Sequence, residues 1–265
     1  MIEFNKIIDG LSNEDYHKHS AISSSQCKDL LISPWLYHHN RSHPVTQSQA
    51  MLFGSMFHSL VLEPDSFDNV YFVADKPKRN TKAGKEAYSQ MEKVKGARTW
   101  ISTDDFLQAQ DMRHNLMKND LVKVLLSGGR SEQSAFWTDK DSGIDCRARA
   151  DYINLDKKYI LDLKTTSSLA DEFNFSTTVK KYHYDLSAAF YVDGFKNVIG
   201  DDFDFFIIAI ESKEPHNFAV YKLSDAILDF GRGKYRQALE VFAKVKESGN
   251  FTVPYHDGLL VELVA

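Results

Sequence analysis

What most constrains this chain is a run of three strand-like segments in its middle, with carboxylates set into them. Glu132 to Thr138, Asp145 to Ile153 and Tyr159 to Leu163 follow one another, separated by the turn-forming stretches Asp139-Lys140-Asp141-Ser142-Gly143 and Asp156-Lys157-Lys158. β-branched and aromatic runs bounded by such turns predict consecutive strands. Within Arg147-Ala148-Arg149-Ala150-Asp151, the aspartate closes the second strand, and Asp162 interrupts the apolar run Tyr159-Ile160-Leu161 of the third. Lys164 lies two residues further on, so the strand period of two puts it on the face of Asp162. Two carboxylates and an ammonium therefore converge at one sheet edge. An ionised Asp162 in so apolar a strand is costly unless it is paired or bound to a metal.

That grouping has a chemistry. Hard divalent cations such as magnesium take oxygen ligands, typically one or two carboxylates with water and substrate phosphate. Phosphodiester hydrolysis needs a more acidic water, a counter-charge for the developing phosphorane and a donor beside the attacking or leaving oxygen. Metal on Asp151 and Asp162 would serve the first two needs and Lys164 the third. An Asp-x-Lys by itself is commonly a surface pair; here the apolar neighbours argue otherwise. His58 adds a nitrogen ligand. It stands four residues after Gly54, on the same helix face, where the missing side chain would admit another backbone or a phosphate. A lone histidine in an apolar helix is ordinarily a hydrogen-bonded core residue, yet imidazole can complete a carboxylate-rich metal site. His17, His19, His38, His39 and His43 are irregularly spaced and read as surface residues.

The flanking sequence predicts a mixed-sheet α/β (α+β) architecture. Residues 1–50 look irregular apart from a short helix near Ser25 to Ile32, which Pro34 stops. A helix from about Gln47 to Leu62 should be largely buried, and further helices span Gly84 to Val94 and Asp104 to Leu126. After the three strands come a helix over Tyr184 to Val198, strands at Phe203 to Ile210 and Phe218 to Leu223, and an amphipathic helix over Asp225 to Lys246. With 265 residues, 43% hydrophobic and 26% charged, the chain is expected to form one domain, its first 50 residues an elaboration packed on a core of 51–265. It lacks a membrane-length apolar run and a secretory start, so a cytoplasmic, non-membrane protein is expected. Cys27 and Cys146 form no CxxC pair and read as reduced, buried thiols.

A net charge of −5 argues against a protein that coats nucleic acid, so any DNA contact must be local. The stretch Lys76 to Lys85 holds five basic residues and no acidic one. It reads either as a solvated loop or as a phosphate contact through Lys78, Arg79 and Lys82.

Gly54-x-x-x-His58, Asp151, Asp162-Leu163-Lys164 and Tyr191 late in a helix together resemble the RecB-like branch of the PD-(D/E)XK nucleases. The order of elements resembles the restriction-endonuclease-like core of that superfamily, flanked by helices. Further stretches narrow the likeness: Asn13-Glu14-Asp15-Tyr16-His17, Ala21-Ile22-Ser23-Ser24-Ser25, Leu60-Val61-Leu62-Glu63-Pro64, Asn80 to Lys85 and Cys146 to Asp151 are similar to the RecE-type phage exonucleases. They span roughly residues 10 to 195. The resemblance implies a metal site of His58, Asp151, Asp162 and the backbone carbonyl of Leu163, holding Mg2+ with Mn2+ as a substitute, and a catalytic Lys164. Glu132 and Tyr191 are implied in substrate binding. Where the branch has Gln-x-x-x-Tyr, this chain has Ser187-Ala188-Ala189-Phe190-Tyr191, and serine is too short for the same contacts. The implied activity is 5′ to 3′ resection of linear double-stranded DNA, leaving 3′ tails for a single-strand annealing recombinase. The implied assembly is a cyclic homo-oligomer around the duplex, in a bacterial host cell and of phage or prophage origin. Alternatives are a RecB-type or CRISPR-associated single-strand nuclease or endonuclease, or a non-catalytic DNA-binding subunit. On the metal reading, Asn at either aspartate should abolish activity yet leave the fold at least as stable, by relieving carboxylate repulsion.

Overall fold

The computed structural model describes residues 4–43, 46–252 and 255–262. The chain opens with β1 (Lys6–Ile8), α1 (Asn13–Lys18), α2 (Ser24–Ile32) and α3 (Pro34–Ser42), then α4 (Gln49–Leu62), α5 (Phe67–Val70) and β2 (Tyr71–Val73). Next come α6 (Lys82–Lys95), β3 (Thr99–Ile101), α7 (Thr103–Met117), α8 (Asp120–Leu125) and the three central strands β4 (Arg130–Thr138), β5 (Asp145–Asn154) and β6 (Tyr159–Thr166). The chain continues through α9 (Glu172–Lys181), α10 (Tyr184–Ile199), β7 (Asp204–Glu211), β8 (Phe218–Lys222) and α11 (Asp225–Ser248).

The main sheet runs β1-β4-β5-β6-β7-β8, antiparallel except for the parallel pair β6–β7. A parallel pair needs a crossover, which α9 and α10 supply. Helices cover both faces, so β6 and β7 are buried on both sides and carry near-continuous apolar runs. Alternation then sorts their side chains. Ile160 and Ile207 enter the core that contains Phe190 and Phe195 of α10, whereas Leu161, Leu163, Ile208 and Ile210 enter the core that contains Met56 and Phe57 of α4. This mixed α/β architecture, a central sheet flanked by helices, is the one the sequence predicts.

Several local expectations are corrected. The described residues among 1–50 are not largely irregular. Pro34 ends α2 but also starts α3, because a proline lacks an N–H that the first helical turn leaves unpaired anyway, and Ser33 caps it through the N–H of Leu36 at 3.0 Å. The helix expected over Asp104 to Leu126 is two. Asn119 interrupts it by accepting the N–H of Val122 at 3.1 Å, the local side-chain bond that makes asparagine a better cap than helix interior. The α4 helix is not largely buried: Met56, Phe57, Leu60 and Val61 are, but Met51 in its first half is 53% exposed. The α9 helix has too little apolar content to show in the sequence, since only Phe175 and Val179 hold it to the core. Strands β2 and β3, of three residues each, are too short to display a period.

The N-terminal segment is fastened to β5 by two arginines. Arg147 donates to the carbonyls of His19 and Ala21, while Arg149 donates to Asn13 Oδ1 at 2.6 Å and the Leu11 carbonyl at 2.8 Å. Both guanidinium groups lie against the Tyr16 ring, at 5.0 and 4.3 Å. Cys27 and Cys146 are buried free thiols. Among the described residues, no helix is long and apolar enough to cross a membrane.

Candidate active site

The β5–β6 ladder pairs Asn154 with Tyr159, Ile153 with Ile160 and Tyr152 with Leu161, and stops there. β6 stays paired with β7 as far as Thr166. The position after Tyr152↔Leu161 would set Asp151 opposite Asp162, and it is here that the two strands part. The Leu163 N–H, deprived of a strand partner on β5, donates instead to Asp151 Oδ2 at 3.0 Å. A buried amide must find an acceptor, and a carboxylate is a strong one. The carboxylates therefore meet in a cleft between the two central strands, not at an edge of the sheet.

Lys164 bridges that cleft, its Nζ 2.6 Å from Asp162 Oδ2 and 4.0 Å from Asp151 Oδ2. From α4, His58 Nδ1 comes within 3.4 Å of Asp151 Oδ2, and its ring is hydrogen-bonded to the backbone of Leu163. Gly54 is not needed for close approach: a Cβ there would meet Thr165 Oγ1 at 3.5 Å, an ordinary contact.

Burial sets the charge states. It lifts the Asp162 carboxyl to about 6 despite the opposing pull of Lys164. Burial also works against the Lys164 ammonium, but Asp162 and Asp151 outweigh it and hold that group above the ordinary lysine range. Burial and the charge of Lys164 lower His58 to about 4, so its imidazole is neutral near pH 7. The apo cleft is thus not carboxylates alone: the charge of Asp151 still raises the Asp162 carboxyl, and the Lys164 ammonium offsets part of that repulsion. The expectation that Asp162→Asn would cost no stability left out this ion pair.

Glu132 faces the same cleft. Its neighbours pair as Ser131↔Tyr152 and Gln133↔Ala150, while Glu132 itself has a φ of +51°, in the left-handed region. Burial, then the charge of Asp151, raises its carboxyl to about 8, against the opposing effect of Arg149. The Tyr191 hydroxyl, on α10, is hydrogen-bonded to Ser24. Tyr191 and Asp151 line one cavity of about 610 Å³ with Ser24, Arg147 and Arg149. A second, of about 1080 Å³, is lined by His58, Lys164 and Tyr184, and a third, of about 610 Å³, by His58 and Glu132. Ser187 is half-buried one turn before Tyr191. Lys78, Arg79 and Lys82 are exposed around the start of α6 and line none of these three cavities.

Two contributors escape the sequence reading. Lys28 of α2 lies 5.4 Å from the Tyr184 ring centre, and Lys164 lies 5.5 Å from the same centre. Burial, then the charge of Lys164, lowers Lys28 to about 8. No local spacing links Lys28 to Tyr184. The arginines of β5 were findable, because Arg147 and Arg149 share the period-two register of Asp151.

Among the described residues, no three His, Cys, Asp or Glu side chains form a ready cage for a metal ion. The donor chemistry nevertheless fits a hard divalent cation. Two carboxylates, a neutral imidazole and the Leu163 carbonyl are oxygen and nitrogen donors, and a carboxyl as buried as that of Asp162 is stabilised as an anion by a nearby cation.

A comparison with curated proteins finds no match. Among solved structures, the one described as "Putative exonuclease" from Eubacterium rectale is 16% identical over 96% of each chain, with a TM-score of 0.67, which shows a shared fold. That of SSO0001 is 15% identical over 79% of this chain and 85% of its own, and its TM-score of 0.29 supports no argument. Residues 23–254, which include His58, Asp151, Asp162 and Lys164, match the family described as PDDEXK-like domain of unknown function (DUF3799), and the chain belongs to that PD-(D/E)XK-like family.

Proposed function

We propose that this protein is a metal-dependent deoxyribonuclease of RecE type, an exonuclease that digests linear duplex DNA from its 5′ ends. The observation that carries the reading is the meeting of Asp151, Asp162, Lys164 and His58 in the β5–β6 cleft of a PD-(D/E)XK-like fold. The fold it shares with a protein described as an exonuclease is in keeping with it.

Asp151, Asp162, His58 and the Leu163 carbonyl are the groups that would hold Mg2+, or Mn2+ in its place. When bound, such a cation supplies positive charge at the scissile phosphate and makes the attacking water more acidic. The chain's own residues do the rest. Lys164 stays protonated, so it acts as a hydrogen-bond donor and fixed positive charge toward the phosphate oxygens and not as a base. Asp151 accepts the Leu163 N–H and thereby fixes the residue whose own carbonyl would be offered to the metal. His58 remains a neutral donor, which only an imidazole of lowered pKa can be under mildly acidic conditions. Glu132 and Tyr191 line the walls through which DNA would reach the cleft.

Resection of this kind leaves 3′ single strands for an annealing recombinase, and a cyclic homo-oligomer around the duplex would let a chain of net charge −5 stay on its substrate. The test is digestion of end-labelled linear duplex, circular duplex and single strands, with magnesium and with a chelator. Magnesium-dependent loss of the 5′ label from linear duplex, with circular DNA intact, is the expected result. Cutting of circular duplex would replace the reading with an endonuclease, and digestion of single strands alone with a RecB-type enzyme.

A further inference from the structure

The cavity of about 1080 Å³ extends from the cleft to α9, and the chemistry above uses only the end at His58 and Lys164. Beyond that end stand two stacked rings between two cations. Lys164 Nζ lies 5.5 Å from the centre of the Tyr184 ring, and Tyr184 is stacked on Tyr182 with centres 5.9 Å apart and planes 24° from parallel. Lys181 Nζ lies 5.3 Å from the Tyr182 ring. Tyr182 is 51% exposed, and Phe173, on the same cavity, is 80% exposed. Neither serves the core: α9 is held by Phe175 and Val179. The one acidic side chain on the cavity wall, Asp105, is engaged by Gln49 at 2.9 Å.

A single exposed aromatic is unremarkable. Two that share a cavity with lysines, one of them connected through a stacked ring to Lys164, have a joint use. Unpaired nucleic acid is held by cations along its backbone and by aromatic faces under its bases, with little sequence preference because every base has a π-face. A duplex cannot use such rings, since its bases are stacked inside.

We infer that Tyr182 and Phe173 form a base-stacking path for one single strand of nucleic acid entering or leaving the cleft, with Lys181 as its phosphate contact. The path rests on the nuclease reading for its direction, and it commits the site to a strand already separated from its complement. Tyr184 backs Tyr182 and holds its ring in place.

The test measures binding in a chelator, where no cleavage occurs, of an oligothymidylate of about 12 nucleotides with one 2-aminopurine, beside a blunt duplex of the same length. Tyr182→Ala and Phe173→Ala should each weaken the single strand roughly 5- to 100-fold and relieve quenching of the probe, with duplex affinity and thermal midpoint unchanged. Tyr182→Phe, which keeps the ring, should bind like the wild type. Unchanged single-strand affinity in both alanine variants overturns the path, as do equal losses for single strand and duplex. If that happens while the wild-type protein still digests DNA with magnesium, the nuclease reading survives alone. If the variants behave as expected while the wild type cleaves no DNA, the path stands as a binding site and the nuclease reading falls.

Discussion

Lys164 and the segment containing Lys78, Arg79 and Lys82 carry the same sign of charge in opposite surroundings. Lys164 is 23% exposed, bridges two carboxylates and sits beside a half-buried histidine. In the basic segment, Arg79 lies over the Tyr88 ring at 4.7 Å, and Lys78 and Lys82 are exposed. Removed from water, a pair such as Lys164–Asp162 interacts several times more strongly than a surface pair and is screened far less by salt. Local charge density singles out the segment, yet desolvation among opposite charges singles out the lysine. The first is a question of affinity and the second of chemistry.

The largest effects should come from the buried side. Lys164→Ala should slow cleavage roughly 10²- to 10³-fold, as removal of a preorganised donor does, with DNA affinity nearly unchanged. Single-turnover rates and binding isotherms separate the two, and an equal loss in both would reduce Lys164 to a phosphate contact like those of the segment. Asp162→Asn should also abolish cleavage, and it removes the nearer partner of a mostly buried ammonium at a cost of about 1–3 kcal/mol. Asp151→Asn should cost less, because Lys164 keeps its 2.6 Å contact and an asparagine oxygen can still accept the Leu163 N–H. Thermal midpoints of the two variants in a chelator rank them; the reverse order would show that Asp151 is the true partner of Lys164.

Alanine at Lys78, Arg79 and Lys82 together should act on the other side of the comparison. Removing a phosphate-binding cation makes the slope of log affinity against log salt shallower by about 0.9, while the rate of cleavage once DNA is bound stays the same. A changed single-turnover rate would bring the segment into the active site, although none of the three cavities reaches it. The last effect, on stability and not on cleavage, concerns Glu132. A carboxyl raised from 4.5 to about 8 in the folded chain contributes stability that is fully present below pH 4.5 and is lost as pH rises through 8. Glu132→Gln should therefore gain thermal stability relative to the wild type across that interval and level off above it. A difference that does not vary with pH would mean that Glu132 is not desolvated by the cleft.

The site and the fold were not equally legible. Asp162 stood out because β6 is buried on both faces, so a charge in its apolar run had no bland explanation. Arg147 and Arg149 stood in plain sight, but an alternating pattern does not say what lies opposite a strand, and what lies there is the N-terminal segment with Tyr16. The α9 helix was invisible because two buried side chains make no period. The break between α7 and α8 was within reach at Asn119, a residue type that caps helices, but the apolar stripe running through that position obscured it.

By itself the sequence determined the sheet-forming centre of the chain, the long helices with strong apolar faces, and the residue types able to bind a divalent cation. Those properties are local: strand alternation, helix periodicity and donor chemistry are written within a few neighbouring residues. Only the tertiary structure decided that β5 and β6 part after Tyr152↔Leu161, that Lys164 reaches both aspartates, and that Tyr182, Tyr184 and Lys28 gather on its other side. These depend on which elements pack together across long stretches of chain, and the desolvation that shifts Asp162, His58 and Glu132 exists only once that packing has excluded water.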